Sequence, residues 1–215
     1  LVVDKITVSD WKTGEAIPGG EALDDVEFVK KTIADVLAAN KTDIELTLNS
    51  YYNSSELSAA IRDALKTTTD GSVNLTLKGI TFFQTGLDNY INHCNKLKSI
   101  TLPDATEFSM WAFANCDKLE EIYAPKVSVL GSRVFNGCKG LKKIALGALT
   151  NVTLGDDSKA FFGLDTENVD LVLSESQKQM ENRNNWYSTE EDYKSTDDYT
   201  KNIFLGRQFK SVTLQ

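Results

Sequence analysis

Apolar side chains change their spacing along this 215-residue chain, and the changes mark its elements. Between Asp24 and Ala39, Val26, Val29, Ile33, Val36 and Leu37 fall on one face at a helical period, which predicts a helix. Asp24 or Asp25 is placed to accept hydrogen bonds from the orphan amides of its first turn. Ile44-Glu45-Leu46-Thr47-Leu48 then alternates and reads as a strand. A second unit repeats this order. Ser54-Ser55 is its N-cap, Leu57, Ile61, Ala64 and Leu65 form the stripe to about Lys66, and Val73-Asn74-Leu75-Thr76-Leu77 is its strand. A helix returning the chain to a parallel strand is the standard crossover. Upstream, Lys5-Ile6-Thr7-Val8 suggests a short strand, and Ile17-Pro18-Gly19-Gly20 a break.

After a link through Phe82, Phe83 and Tyr90 the pattern shortens to a strict repeat. Cys94, Cys116 and Cys138 recur every 22 residues, each opening one phrase: Cys-x-x-Leu-x-x-Ile. The strands of these copies are Lys98–Leu102, Glu120–Ala124 and Lys142–Leu146. Pro103 and Pro125 close the first two, because proline cannot donate to a ladder; Gly147 holds the third position. Phe113 and Phe135 stand three residues before their cysteines and are expected to wedge the turn between layers. The next copy is irregular. Phe161-Phe162-Gly163-Leu164 echoes Phe135-Asn136-Gly137-Cys138 at 26 residues, with an apparent extra strand and turn over residues 151–157. Val169–Leu173 resumes the strand. Residues 174–202 are polar, read as a helix from Ser174 to about Asn185, and then carry Trp186, Tyr187, Tyr193 and Tyr199. Those aromatics argue for packing over disorder. Phe209–Leu214 mirrors Leu97–Leu102 and is expected to close the same sheet.

The expected fold is an α/β repeat. It is a leucine-rich-repeat solenoid with a concave parallel sheet, helix-bearing N-terminal units and an irregular C-terminal cap. Its parts are a lead-in over 1–20, helix-plus-strand units over 21–90, short repeats over 91–173 and a capping segment with a final strand over 174–215. An odd cysteine count excludes complete pairing within the chain. Parallel strands lie ~4.8 Å apart, so the three thiols should form an inward column of small buried hydrophobes.

The phrase Phe-x-x-Cys-x-x-Leu-x-x-Ile-x-Leu/Ala-Pro resembles the BspA-type leucine-rich repeats, the Treponema pallidum class. The likeness covers residues 91–146, then loosely 147–173 and 209–214. Residues 1–90 look like the longer leading unit of some such proteins. Ala124, in place of a large strand residue, and Leu164, in place of Cys, depart from the pattern. The resemblance implies a curved solenoid, and many relatives are exported or surface-anchored proteins of Bacteroides-like bacteria, some of them adhesins. On this basis the protein is expected outside the cell or on its outer surface, lipid-anchored in one version. The chain opens Leu1-Val2-Val3-Asp4 and reads as a mature or trimmed form, with any signal segment lying outside it.

Charge narrows the partners. The chain carries −8 overall, which disfavours nucleic acid and anionic lipid. Residues 94–146, with 8 basic and 5 acidic side chains, form a mildly basic body between acidic ends. No run is long enough to insert in a membrane. His93 adjoins Cys94, but neighbours on an extended stretch point apart, so a satisfied turn histidine is the reading. Asp156, Asp157, Asp165 and Glu167 lack a calcium-loop spacing, and no phosphate loop or paired acid–base set appears. No cofactor, metal or enzymatic activity is expected.

What remains is surface. If Ile100, Ile122 and Ile144 face the core, alternation turns outward Glu45, Thr47, Asn74, Thr76, Ser99, Thr101, Glu121, Tyr123, Lys143, Ala145, Asp170, Val172, Ser211 and Thr213. Within this row Glu121, Tyr123, Lys143, Thr101 and Thr76 are the candidate partner-binding residues, with Tyr123 as anchor. Serine and threonine also simply suit a solvated strand. The functional expectation is a recognition or adhesion module for a protein or glycan. The alternative is a structural component with weak self-association.

Overall fold

A computed structural model describes residues 25–47, 54–83, 94–152, 160–179 and 197–215. Two helices, α1 (Asp25–Ala38) and α2 (Ser54–Ala64), pack side by side at the N-terminal end. Each precedes a strand, β1 (Asp43–Thr47) and β2 (Val73–Lys78). Val29, Ile33 and Val36 of α1 and Ala60 and Ile61 of α2 are buried, as is Leu65 just beyond it. The helical period therefore aims the expected stripes inward; the side chains of Val26 and Leu57 lie outside the described set. So do the lead-in segment and its break.

The strands then alternate between two parallel sheets. The long strands are β4 (Leu97–Thr101), β6 (Glu121–Ala124), β8 (Lys143–Leu146), β10 (Asp170–Leu173) and β13 (Ser211–Leu214). With β1 and β2 they form one seven-stranded sheet in the order β1-β2-β4-β6-β8-β10-β13. Between them run two-residue strands, β3 (Phe82–Phe83), β5 (Glu107–Phe108), β7 (Val129–Leu130) and β9 (Asn151–Val152), which make a second, four-stranded sheet. An antiparallel pair, β11 (Ile203–Phe204) with β12 (Arg207–Gln208), lies before the last long strand.

The second sheet changes two sequence expectations. Phe82–Phe83 is the sheet's first strand rather than a link. Asn151–Val152 is its fourth, 22 residues after Val129–Leu130 and paired to it in register, so it is no extra strand. Two-residue strands carry too little alternation to be seen in a pattern. The irregularity lies further on. Phe135 follows Leu130 by five residues, whereas Phe161 follows Val152 by nine, so four residues are inserted within 153–160.

Like residues stack from coil to coil. Ile100, Ile122 and Ile144 are in register and buried, and Cys94, Cys116 and Cys138, all free thiols, are buried as well. Phe113, Phe135 and Phe161 form a ring column, with centroids 6.3 and 5.6 Å apart and near-parallel planes. Phe108 and Phe209 end it edge-on at 4.9 and 5.6 Å. The turns are cross-linked too: Phe113 N–H donates to Val134 O at 2.9 Å, and Asn115 N–H to Asn136 O at 2.7 Å. Just before Cys116, Cys138 and Leu164, the residues Asn115, Gly137 and Gly163 hold left-handed backbone with φ of 58°, 74° and 71°. Asparagine and glycine tolerate that conformation best.

Beyond β10 the chain forms a 3-10 helix over Glu175–Gln179, where a helix was expected to begin, and residues 180–185 of that expectation fall outside the described residues. Trp186, Tyr187 and Tyr193 fall there as well. Tyr199 is described: it packs half-buried against the core, its ring stacked 6.4 Å from Phe204.

Candidate functional site

The open face of the long sheet is read strand by strand from its register. One row runs Asp43, Asn74, Ser99, Glu121, Lys143, Asp170, Ser211. Two residues along, a second runs Glu45, Thr76, Thr101, Tyr123, Ala145, Val172, Thr213. Alternation places these side chains opposite the buried isoleucines, because successive strand residues point to opposite faces.

All five candidate residues lie in these rows. Thr76, Thr101 and Tyr123 are consecutive register partners in the second row, and Glu121 and Lys143 are partners in the first. Glu121, Tyr123 and Lys143 are exposed; Thr76 and Thr101 are half-buried. Tyr123, at 48% exposure, is one of two large apolar side chains that stand out among the described residues, the other being Met110 in a turn.

Two members of the expected outward row are buried instead. Glu45 is 4% exposed, with its carboxylate held by the Lys78 ammonium at 2.7 Å. A carboxylate withdrawn from water needs such a partner. Ala145 is also 4% exposed, since its methyl is too short to emerge between its larger register neighbours Tyr123 and Val172.

The rest of the first row is tied together. Asn74 Nδ2 donates to Asp43 Oδ1 at 2.7 Å, and Ser99 Oγ donates to Asn74 Oδ1 at 2.8 Å. At the far end Lys210 and Ser211 both donate to Asp170, each at 2.7 Å. The hydrogen bond from Lys210, seconded by Ser211, holds the Asp170 carboxyl below its ordinary value. Glu121 and Lys143 differ: among the described residues neither enters an ion pair. Glu121 and Lys143, register partners in the first row, therefore sit side by side next to the exposed tyrosine of the second. Asp43, Lys78 and Lys210 were missed in the sequence. Asp43 was within reach, since it stands two residues before Glu45 in the same alternation.

The thiol column offers no chemistry. Burial pushes all three thiols up, Cys138 to about 12 and Cys116 well above its ordinary value, so each stays protonated at neutral pH. Among the described residues no group of His, Cys, Asp and Glu is arranged to hold a metal ion. His93, Asp156 and Asp157 lie outside those residues. No helix among them is long and apolar enough to cross a membrane.

Stacked coils, each giving one strand to a continuous parallel sheet, define a leucine-rich-repeat solenoid. Residues 78–183 match the model of the BspA type leucine rich repeat region, in six copies. The match begins at Lys78, the last residue of β2, and so takes in β3, the first strand of the second sheet, ahead of the first cysteine. Neither the curated proteins nor the solved structures gave a match. A repeat region of this kind is a protein-binding architecture, and its fold alone fixes no ligand.

Proposed function

We propose that this protein is a non-catalytic recognition module, displayed outside the cell or on its surface, that holds a protein or glycan partner on the open face of its long sheet. Tyr123, Glu121 and Lys143 form the centre of the contact, with Thr101 and Thr76 extending it along the second row. The observation that carries this reading is the contrast within the face. Asp43, Glu45 and Asp170 are bound to neighbouring side chains, whereas Glu121 and Lys143 remain open beside the exposed Tyr123 ring. An aromatic anchor flanked by charged groups that enter no ion pair among the described residues is what a partner can use, because it need not first break such a bond.

The test starts with capture from bacterial envelope extract or mucus on the immobilised chain, followed by titration of the recovered ligand. Replacing Tyr123, Glu121 and Lys143 together with alanine should weaken binding at least about tenfold. Unchanged affinity would remove the face from the reading. A self-assembling surface component is the second reading, favoured by the half-buried Val212 and Leu214 at the end of the long sheet. Light scattering separates the two, since a strict monomer over a wide concentration range counts against assembly.

A further inference from the structure

Tyr123 stands on the open face at 48% exposure, and among the described residues its hydroxyl makes no hydrogen bond. Next to it in its row comes Ala145, whose methyl leaves the surface low, and then half-buried Val172. The ring therefore borders a shallow apolar floor. Two residues back along the same two strands stand Glu121 and Lys143. These register partners enter no ion pair among the described residues, not even with each other.

The patch is small. Strand spacing and rise put the Cα atoms of Glu121, Tyr123, Lys143 and Ala145 within about 5 Å across the strands and about 7 Å along them. Around it the face is closed on itself: Asn74 bonds Asp43 and Ser99, and Asp170 takes Lys210 and Ser211. One sugar ring covers such an area, whereas a stable protein interface needs roughly 800 Å² from each partner. Charge then selects the ligand. A cation is drawn to Glu121 and repelled by Lys143 beside it, and an anion the reverse, so neither gains from the pair. A vicinal diol does gain. One hydroxyl donates to the carboxylate, the other accepts from the ammonium, and both bonds are charge-assisted. The C–H face of the same ring can lie on the apolar body of Tyr123.

We propose that the open face holds a neutral glycan, with one hexopyranose unit stacked on Tyr123 and its vicinal hydroxyls shared between Glu121 and Lys143. The inference rests on the reading of this face as the contact surface, and it narrows the partner from a protein or glycan to an uncharged sugar.

The test titrates the full chain with the methyl glycosides of glucose, galactose and mannose, followed by saturation-transfer NMR. At least one should bind in roughly the millimolar range, as a single ring allows. Tyr123→Ala should weaken it at least about tenfold, and Tyr123→Phe, which keeps the ring, by less than about threefold. Glu121→Ala and Lys143→Ala should each cost about three- to tenfold. All four positions of change lie on the surface, and an unchanged thermal midpoint shows that the variants fold. Glucuronate and glucosamine should bind no more tightly than the neutral sugar. No binding by any of the glycosides, affinity that survives Tyr123→Ala, or tighter binding of either charged sugar would overturn the proposal. Material captured from mucus separates this inference from the broader reading. Loss of binding after periodate, which cleaves vicinal diols, supports the sugar. Loss after protease alone, with binding still weakened by the triple alanine variant, overturns the sugar and leaves the face as a protein site.

Discussion

Gln177 closes the backbone of Leu149 from both sides: its Oε1 accepts from Leu149 N–H at 2.6 Å and its Nε2 donates to Leu149 O at 3.3 Å. One coil earlier, Val127 stands at the position 22 residues before Leu149, and there the carbonyl accepts from Gly147 N–H at 3.0 Å. For Leu149 a side-chain amide performs that role. Gln177 is 1% exposed, so nothing from solvent can replace it.

Gln177→Leu should therefore destabilise the fold far more than its conservative volume suggests. It leaves a buried N–H and a buried C=O unpaired, each costing about 1–3 kcal/mol, for an expected loss of about 2–6 kcal/mol. The midpoint of urea unfolding at constant slope measures it. A loss under about 0.5 kcal/mol would mean that the amide does not satisfy this backbone.

The left-handed turn before Cys138 gives a second expectation. Gly137 has φ 74°, and a β-carbon there would collide with Asn115 Oδ1 of the preceding coil. Gly137→Ala should cost about 1–3 kcal/mol from strain and crowding together. Gly140→Ala tests crowding alone, since a β-carbon there would meet Asp117 O at 2.6 Å without a positive φ. Thermal unfolding of both variants separates the contributions, and a neutral Gly137→Ala would show that the turn relaxes freely.

Two residues of one phrase should behave in opposite ways. Leu119 is fully buried, so Leu119→Ala should lose about 2–5 kcal/mol. Tyr123, four residues on, stands on the open face, and Tyr123→Ala should change stability by less than about 1 kcal/mol. Denaturant unfolding checks both. A large loss at Tyr123 would mark it as a structural residue and detach it from binding.

The repeat was legible because its core residues obey one spacing. Cysteine, leucine, isoleucine and phenylalanine each recur in phase, and each forms a buried column. The second sheet was hidden because two-residue strands leave no period to detect. The candidate face followed from alternation, which is why Thr76, Thr101, Glu121, Tyr123 and Lys143 fall in adjacent rows. Alternation says nothing about neighbours 33 residues away, so Lys78 drawing Glu45 out of solvent could not be read from it. The closing carboxamide of Gln177 was likewise invisible, since a lone amide in a polar segment carries no pattern.

The thiol column links pH to stability with a definite sign. Burial pushes the Cys138 thiol from 9.0 to about 12, and its Sγ lies 2.9 Å from Phe113 O, to which it donates. Below pH 9 the thiol is protonated in both folded and unfolded chains, so it adds no pH dependence. Between 9 and 12 the unfolded chain releases the proton while the folded chain keeps it. Ionisation then favours the unfolded state, and stability falls by about 1.4 kcal/mol for each pH unit across that window. Cys94 and Cys116, also raised, act in the same direction. Urea midpoints measured at pH 8 and pH 10.5 should therefore drop steeply in wild type and less steeply in Cys138→Ala, with lysine and tyrosine titration common to both. At pH 8 a thiol reagent should label the three cysteines only as the chain unfolds. Equal pH slopes in the two proteins, or rapid labelling of the native chain, would mean that the column is open to water.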